Sequence, residues 1–288
     1  MNDAEMSQAE PDAPADSTIH PDLKAIGLDL KYEDRVVVHG MSLQIRQGSI
    51  TTIVGANGCG KSTLLRGLSR ILRPAAGEVL LDGTAINQLP AKHVAQRISI
   101  LPQSPTAPDG LTVGDLVGRG RYPHQGFLQR WSPGDDAAVE RALEATRMVD
   151  LRERPIDELS GGQRQRAWIA MALAQDSPIM LLDEPTTYLD LAYQIEVLDL
   201  LAELNESDGR TIVMVLHDIN QAARYSHELV AMKAGRTVVS GAPRDILTVD
   251  FLREVFGLHA QIIHDPSDGT PVCLPLHRRN ARSSGEAP

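Results

Sequence analysis

The sequence predicts an α/β fold organised around a parallel sheet, and three observations carry that expectation. Short β-like runs alternate with segments of helical periodicity. Two of the runs, "PIMLLDEP" (178–185) and "RTIVMVLHD" (210–218), are apolar almost throughout, as strands covered on both faces must be. A glycine-rich loop, "GANGCGKS" (55–62), joins a strand-like run directly to a helical one.

In chain order, residues 1–21 read as a disordered acidic tail. They have neither the basic start nor the apolar stretch of a signal peptide. Three β-like runs fill 23–54: "LKAIGLDLKY", "RVVVHG" and "MSLQIRQGSITTIVG". After the loop, "KSTLLRGLSRIL" sets Leu64, Leu65, Leu68, Ile71 and Leu72 at helical spacing. "GEVLLDGTAI" reads as a strand and turn, and "RISILPQ" as a short strand ending at Pro102. From 105 to 158 the composition turns to Pro, Gly and basic residues, then to a helix starting at Pro133, which together suggest a mostly helical insertion. "WIAMALAQ" and "LAYQIEVLDLLAELN" read as helices, and "ELVAMKAGRTVVSGAP" as a hairpin. Residues 276–288 read as a second disordered tail.

Composition narrows the function. The chain has 288 residues, 42% hydrophobic but only 3% aromatic, so Leu, Val, Ile and Ala must fill the core. The formal net charge is −10, and six of those charges belong to acids in the first 22 residues, which contain no Lys or Arg. A mildly acidic body gives no support to nucleic-acid binding. The two cysteines, Cys59 and Cys273, have no metal-type spacing and suit a reducing compartment. No stretch approaches the roughly 18 consecutive apolar residues of a membrane span, so any membrane part is expected on a separate subunit.

The chemistry starts at the loop. "GANGCGKS" fits G-x-x-x-x-G-K-[ST] through Gly55, Gly60, Lys61 and Ser62, with a strand before it and a helix after. The backbone N–H groups of such a loop wrap phosphates, and the helix start adds positive potential. Lys61 is then placed for the β and γ phosphates and Ser62 for Mg²⁺. A carboxylate at a buried strand end completes a metal site, and "IMLLDE" supplies Asp183 for Mg²⁺, with Glu184 beside it as general base for water. His217 closes another apolar strand and is expected at the γ-phosphate. Gln103, at the end of "ISILPQ", could meet Mg²⁺ or the attacking water.

These motifs, with "LSGGQ" at 159–163 between them, closely resemble the ATP-binding subunits of ABC transporters over roughly residues 22–275. The resemblance implies a P-loop NTPase core, an N-terminal antiparallel β subdomain, and a helical subdomain at about 105–165, inserted between the Q-loop and the signature motif. It implies a head-to-tail homodimer in which ATP on one chain's Gly55, Ala56, Asn57, Gly58, Cys59, Gly60, Lys61, Ser62 and Thr63 is covered by Ser160, Gly161, Gly162 and Gln163 of the other. That explains a second glycine-rich helix start: each start serves a different nucleotide. By the same resemblance Tyr32 stacks on adenine, Asp190 in "TTYLD" lies on the loop linking the two sites, and Leu189 packs. Cys59 departs from the small or Ser residue commoner there. It reads first as a small filler whose N–H matters and whose thiol does not; a thiol near a helix N-terminus can also have a lowered pKa, so bound ATP is expected to protect it from alkylation.

"LTVGDLVGRGRYPHQGFLQRWSP" (111–133) holds Tyr122, Phe127 and Trp131 and four basic residues including His124, with no acid between Asp115 and Asp135. It reads as a polar-aromatic surface for a partner. "GRGRYPHQG", "QRAWIAMALAQ" and "VLHDINQAARYSHELVAMKAGR" resemble the iron–siderophore importer ATPases. That likeness implies an integral-membrane permease as partner, a periplasmic or surface binding protein acting indirectly, and a place at the cytoplasmic face of the bacterial inner membrane. Heme and cobalamin importers use related subunits. A soluble ABC ATPase is disfavoured by the single cassette, a P-loop kinase by "LSGGQ" and His217, and a nucleotide-sensing adaptor by Glu184.

Overall fold

Apolar runs of four to six residues bounded by loops can be buried on both faces only inside a layered α/β sheet, and the computed structural model arranges them that way. It describes residues 22–126 and 131–276. The expectations for the tail at 1–21, for 277–288 and for Phe127 lie outside the described residues.

The chain opens with β1 (Leu23–Tyr32) and β2 (Arg35–Ile45), then β3 (Ile50–Gly55), which runs into the Gly-rich loop and α1 (Lys61–Leu68). After β4 (Ala76–Leu81) and β5 (Thr84–Ala85) come α2 (Ala91–Arg97) and β6 (Ile98–Leu101). A helical stretch contributes α3 (Val113–Arg119), α4 (Pro133–Ala145) and α5 (Gly161–Ala174). The core resumes with β7 (Ile179–Asp183), α6 (Leu191–Asp208), β8 (Thr211–Val215), α7 (Ile219–Tyr225), β9 (Glu228–Lys233) and β10 (Arg236–Gly241). It ends with α8 (Pro243–Ile246), α9 (Val249–Phe256), β11 (Ala260–His264) and β12 (Pro271–Pro275).

The main sheet has the order β10-β9-β3-β8-β7-β6; its pairs are parallel except for the β9–β10 hairpin, which is antiparallel. A second sheet, β2-β1-β4-β5, is antiparallel, and β11–β12 form a separate ribbon. The main sheet feeds two cores. On β7, Ile179 and Leu181 face the core shared with α1 and the antiparallel sheet; Met180 and Leu182 face the core shared with α3–α6. Because β3, β6, β7 and β8 are parallel, their C-terminal ends gather on one edge, and the loops that carry ligand groups gather with them.

Helix α1 is shorter than its periodicity suggests. Arg70 takes a left-handed φ of 66° and Ile71 is 62% exposed, so the helix stops at Leu68 before Pro74. Helix α4 starts where expected: Ser132 and Asp135 form a capping box with Pro133 in the first turn. Helix α3 falls in the Pro-, Gly- and basic-rich stretch ahead of Pro133, inside the insertion expected to be mostly helical. Thr112 and Asp115 cap it, and its glycines answer to neighbours. A Cβ on Gly120 would come 2.2 Å from the Met171 carbonyl oxygen, and one on Gly118 would come 3.2 Å from the Trp131 ring.

Candidate functional site

The loop between β3 and α1 turns on glycines at positive φ: Gly55 (151°), Gly58 (74°) and Gly60 (106°). A Cβ at Gly55 would come 2.2 Å from the Met232 carbonyl oxygen, so the loop sits against β9 with no room for a side chain. The loop, the first turn of α1 and the ends of β6, β7 and β8 enclose a cleft of about 360 Å³. It is lined by Asn57, Gly58, Gly60, Lys61, Ser62, Thr63, Gln103, Glu184 and His217, with Val37 from β2.

The expected groups converge here from four separate elements. Lys61 Nζ donates to the carbonyl oxygens of Gly55 (2.9 Å) and Ala56 (3.2 Å), which holds its charge on the loop. Ser62 Oγ donates to Asp183 Oδ1 at 2.8 Å. Burial pushes the Asp183 carboxyl up from its usual range, with the nearby Glu184 adding to the effect and the Ser62 hydrogen bond opposing it. A buried carboxylate beside a hydroxyl at the mouth of a polar cleft is the oxygen set a hard divalent cation takes. Glu184 is nearly buried and has a φ of 55°, an unfavourable backbone for a non-glycine residue and of the kind stored at functional sites. Its carboxylate accepts from His217 Nε2 (2.6 Å), Gln103 Nε2 (2.6 Å) and Thr187 Oγ1 (2.9 Å). Thr187 was not among the sequence candidates. Its signal is the spacing alone, a hydroxyl three residues after Glu184 in "DEPTT".

Other candidates stand elsewhere. Tyr32 ends β1, is 41% exposed and accepts from Arg66 Nη1 at 3.1 Å; it does not line the cleft. Ser160, Gly161, Gly162 and Gln163 are also outside the cleft. Ser160 Oγ accepts from Gln163 N (3.3 Å) and Gln163 Oε1 accepts from Ser160 N (3.1 Å), so this pair caps α5. Ser160 and Gly161 are exposed, while Gly162 lies against Tyr193, 2.8 Å from where its Cβ would be. Asp190 caps α6 through Tyr193 N at 3.1 Å. Leu189, half-buried, packs on the core and near Gly161, as does the Tyr188 backbone; the Tyr188 (88%) and Leu191 (69%) side chains are exposed.

Two sequence readings need correction. Cys59 points into the core beneath the loop, 6% exposed; burial raises its thiol pKa, against a smaller lowering by Lys61. A thiol so placed is already shielded. Alkylation of the native chain at Cys59 is expected to be slow and equal with and without Mg-ATP, measured by mass-spectrometric labelling. Protection that depends on nucleotide would contradict this placement. The polar-aromatic stretch is also less outward than its composition suggests. Arg121 is buried, with Nε on Asp135 Oδ1 (2.8 Å) and Nη1 on the Ala174 carbonyl (2.8 Å); His124 Nε2 donates to the Gln175 carbonyl (2.7 Å). Tyr122, 62% exposed, and Trp131, 45% exposed, remain on the surface, Trp131 donating to Asp136 at 2.6 Å.

A phosphate cradle opening a helix, a carboxylate–hydroxyl pair, and a second carboxylate held by an amide and an imidazole define a P-loop nucleotide hydrolase. The family model for ABC transporters matches residues 38–187, and the chain belongs to that family: it is an ATP-binding ABC ATPase. The iron(3+)-hydroxamate import ATP-binding protein FhuC of Bacillus subtilis (strain 168) is 52% identical over 247 residues, 86% of this chain and 92% of that protein. The ferric enterobactin transport ATP-binding protein FepC of Escherichia coli (strain K12) is 50% identical over 256 residues, 89% of this chain and 94% of that one. Among solved structures, a metal-chelate type ABC transporter in an inward-facing conformation aligns with a TM-score of 0.78 at 31% identity, covering 90% of this chain and 99% of that one. Among the described residues no helix is long and apolar enough to cross a membrane.

Proposed function

We propose that this chain energises a bacterial importer of iron–siderophore complexes, working as a head-to-tail pair on an integral-membrane permease at the cytoplasmic face of the inner membrane. A binding protein outside that membrane would deliver the cargo, which this chain does not touch. The substrate class rests on the names of the hydroxamate and enterobactin relatives; the chemistry rests on this chain's cleft.

The observation that carries the reading is the engagement of Glu184 by Gln103 and His217 at the mouth of the cradle. The loop from Gly55 through Thr63 wraps the phosphates with its N–H groups, and Lys61 swings from the loop carbonyls to the β and γ phosphates. Ser62, Asp183 and Gln103 are the oxygen ligands available to Mg²⁺, which when bound neutralises charge on the phosphate oxygens. Glu184 takes the proton of the attacking water at its carboxylate. His217 Nε2, now donating to Glu184, turns to the γ-phosphate. Tyr32 supplies the adenine platform at the end of β1. From the opposite copy, Ser160, Gly161, Gly162 and Gln163 close over the γ-phosphate. Asp190 sets the start of α6 beside them.

The pairing is tested at Ser160. Replacing it with Arg puts a long cation where the closing surface must approach, while the chain's own cleft is untouched. Ser160→Arg is expected to bind ATP as a monomer with wild-type affinity and to lose ATP-dependent dimerisation in sedimentation velocity. Intact ATP-dependent dimers in that variant would refute the shared site.

A further inference from the structure

One residue outside the cleft bonds to three separate stretches of chain at once. Gln175 follows the last turn of α5. Its carbonyl accepts from His124 Nε2 at 2.7 Å, and its side-chain amide donates to the carbonyls of Ala95 (2.5 Å) and Ile98 (2.9 Å). Those partners belong to the 3-10 turn at Tyr122–His124, the last turn of α2 and the first residue of β6. The stretches are also tied to one another. Gln96 Nε2 donates to the Pro123 carbonyl (2.9 Å), Lys92 Nζ to the Gln125 carbonyl (3.0 Å) and Arg121 Nη1 to the Ala174 carbonyl (2.8 Å). A plain helix cap needs one local partner. Gln175 instead bonds across 51, 77 and 80 residues of sequence.

The far ends of the elements it holds are the functional ones. Strand β6 starts at Ile98, ends at Leu101, and delivers Gln103 to Glu184 two residues later. Helix α5 begins next to Ser160 and ends at Gln175. A four-residue strand and a helix roughly 20 Å long behave as stiff levers in a close-packed interior. The third member of the junction carries Tyr122, 62% exposed, on the segment where a partner is expected.

We infer that Gln175 is a positioning residue: it couples the state of the nucleotide cleft, through β6 and Gln103, to the surface segment 119–126. The inference rests on the reading of that cleft as an ATP site. When a nucleotide draws Gln103 and β6 toward it, the Gln175 amide carries the shift to α5 and the turn at Tyr122–His124.

Hydrogen exchange on the full chain tests this, in a Glu184→Gln background with and without Mg-ATP. The parent is expected to change its exchange rate by at least about threefold in peptides covering 55–63, 91–98 and 119–126. In Gln175→Leu the response at 55–63 persists and the response at 119–126 is lost. His124→Ala keeps both side-chain bonds of Gln175 and removes only its own bond to the turn, leaving those from Gln96, Lys92 and Arg121; if Gln175 is the coupling residue, the response at 119–126 is lost while that at 91–98 is kept. If Gln175→Leu fails to fold, His124→Ala decides the question alone. A response at 119–126 that survives in the folded variants overturns the proposal. So does a parent that responds at 55–63 but not at 119–126. A parent with no response at 55–63 brings down the ATP reading itself, and the coupling with it.

Discussion

Glu184→Gln is expected to bind ATP normally and to hydrolyse it at least about a hundredfold more slowly, the scale of losing a general base. The substitution suits the local geometry. Glu184 Oε1 meets His217 at 2.6 Å, and Oε2 meets Gln103 at 2.6 Å and Thr187 at 2.9 Å. An amide keeps the shape and retains one oxygen as acceptor but cannot take a proton from water. Nucleotide affinity should hold because the cradle glycines, Lys61 and the Ser62–Asp183 pair are unchanged. Single-turnover hydrolysis measured beside equilibrium binding separates the two effects. Turnover within a few-fold of wild type would remove Glu184 from its role and leave the cleft without a base.

The second large effect concerns stability. Arg121 and Asp135 form a buried pair at 2.8 Å, and the same guanidinium serves the Ala174 carbonyl at the end of α5. Arg121→Met keeps the apolar stem but strands the carboxylate with Ser132 alone and leaves the carbonyl without the guanidinium. Breaking a buried pair from one side costs about 3 kcal/mol or more. Replacing both partners, as in Arg121→Met with Asp135→Leu, should restore most of that, because apolar groups leave no buried charge unmatched. Denaturant unfolding of the two variants and wild type decides it. A loss below about 1 kcal/mol in the single variant would mean water reaches the pair. The hydrogen bond from Arg121 holds the Asp135 carboxyl below its usual pKa. The unfolded chain therefore takes up this proton first as pH falls, and the pair's contribution is complete at neutral pH and fades only in acid, through the depressed value. The gap between Arg121→Met and wild type should accordingly stay level from neutral pH down to the ordinary aspartate range.

What the sequence made legible was local. The runs that became β7 and β8 and the Gly-rich turn into α1 are each specified within a few residues by burial or backbone geometry. The site groups follow from them, because parallel strands carry Gln103, Asp183 and His217 to one edge. What stayed hidden depends on remote partners. Arg121 looks like a surface cation until Asp135 and Ala174, 14 and 53 residues away, close on it. Gly118 and Gly120 look like loop residues, yet they let α3 approach Trp131 and Met171. Cys59 looks reactive from its place before a helix, but the core beneath the loop takes its side chain. Nothing in the letters around Glu184 announces its left-handed backbone.

The alternation along β7 has a consequence for the chemistry. Ile179 and Leu181 turn toward α1, and Asp183, next in that series, meets Ser62 on the same helix. Met180 and Leu182 turn the other way; the strand ends at Asp183, and Glu184, with its left-handed backbone, meets Gln103 and His217. Oil, not charge, therefore decides which acid meets Ser62, and the turn after the strand gives the other to Gln103 and His217. Deleting one residue from this strand would bring Glu184 to the place beside Ser62, turn Asp183 toward the opposite core and leave Pro185 where Gln103 and His217 now find a carboxylate.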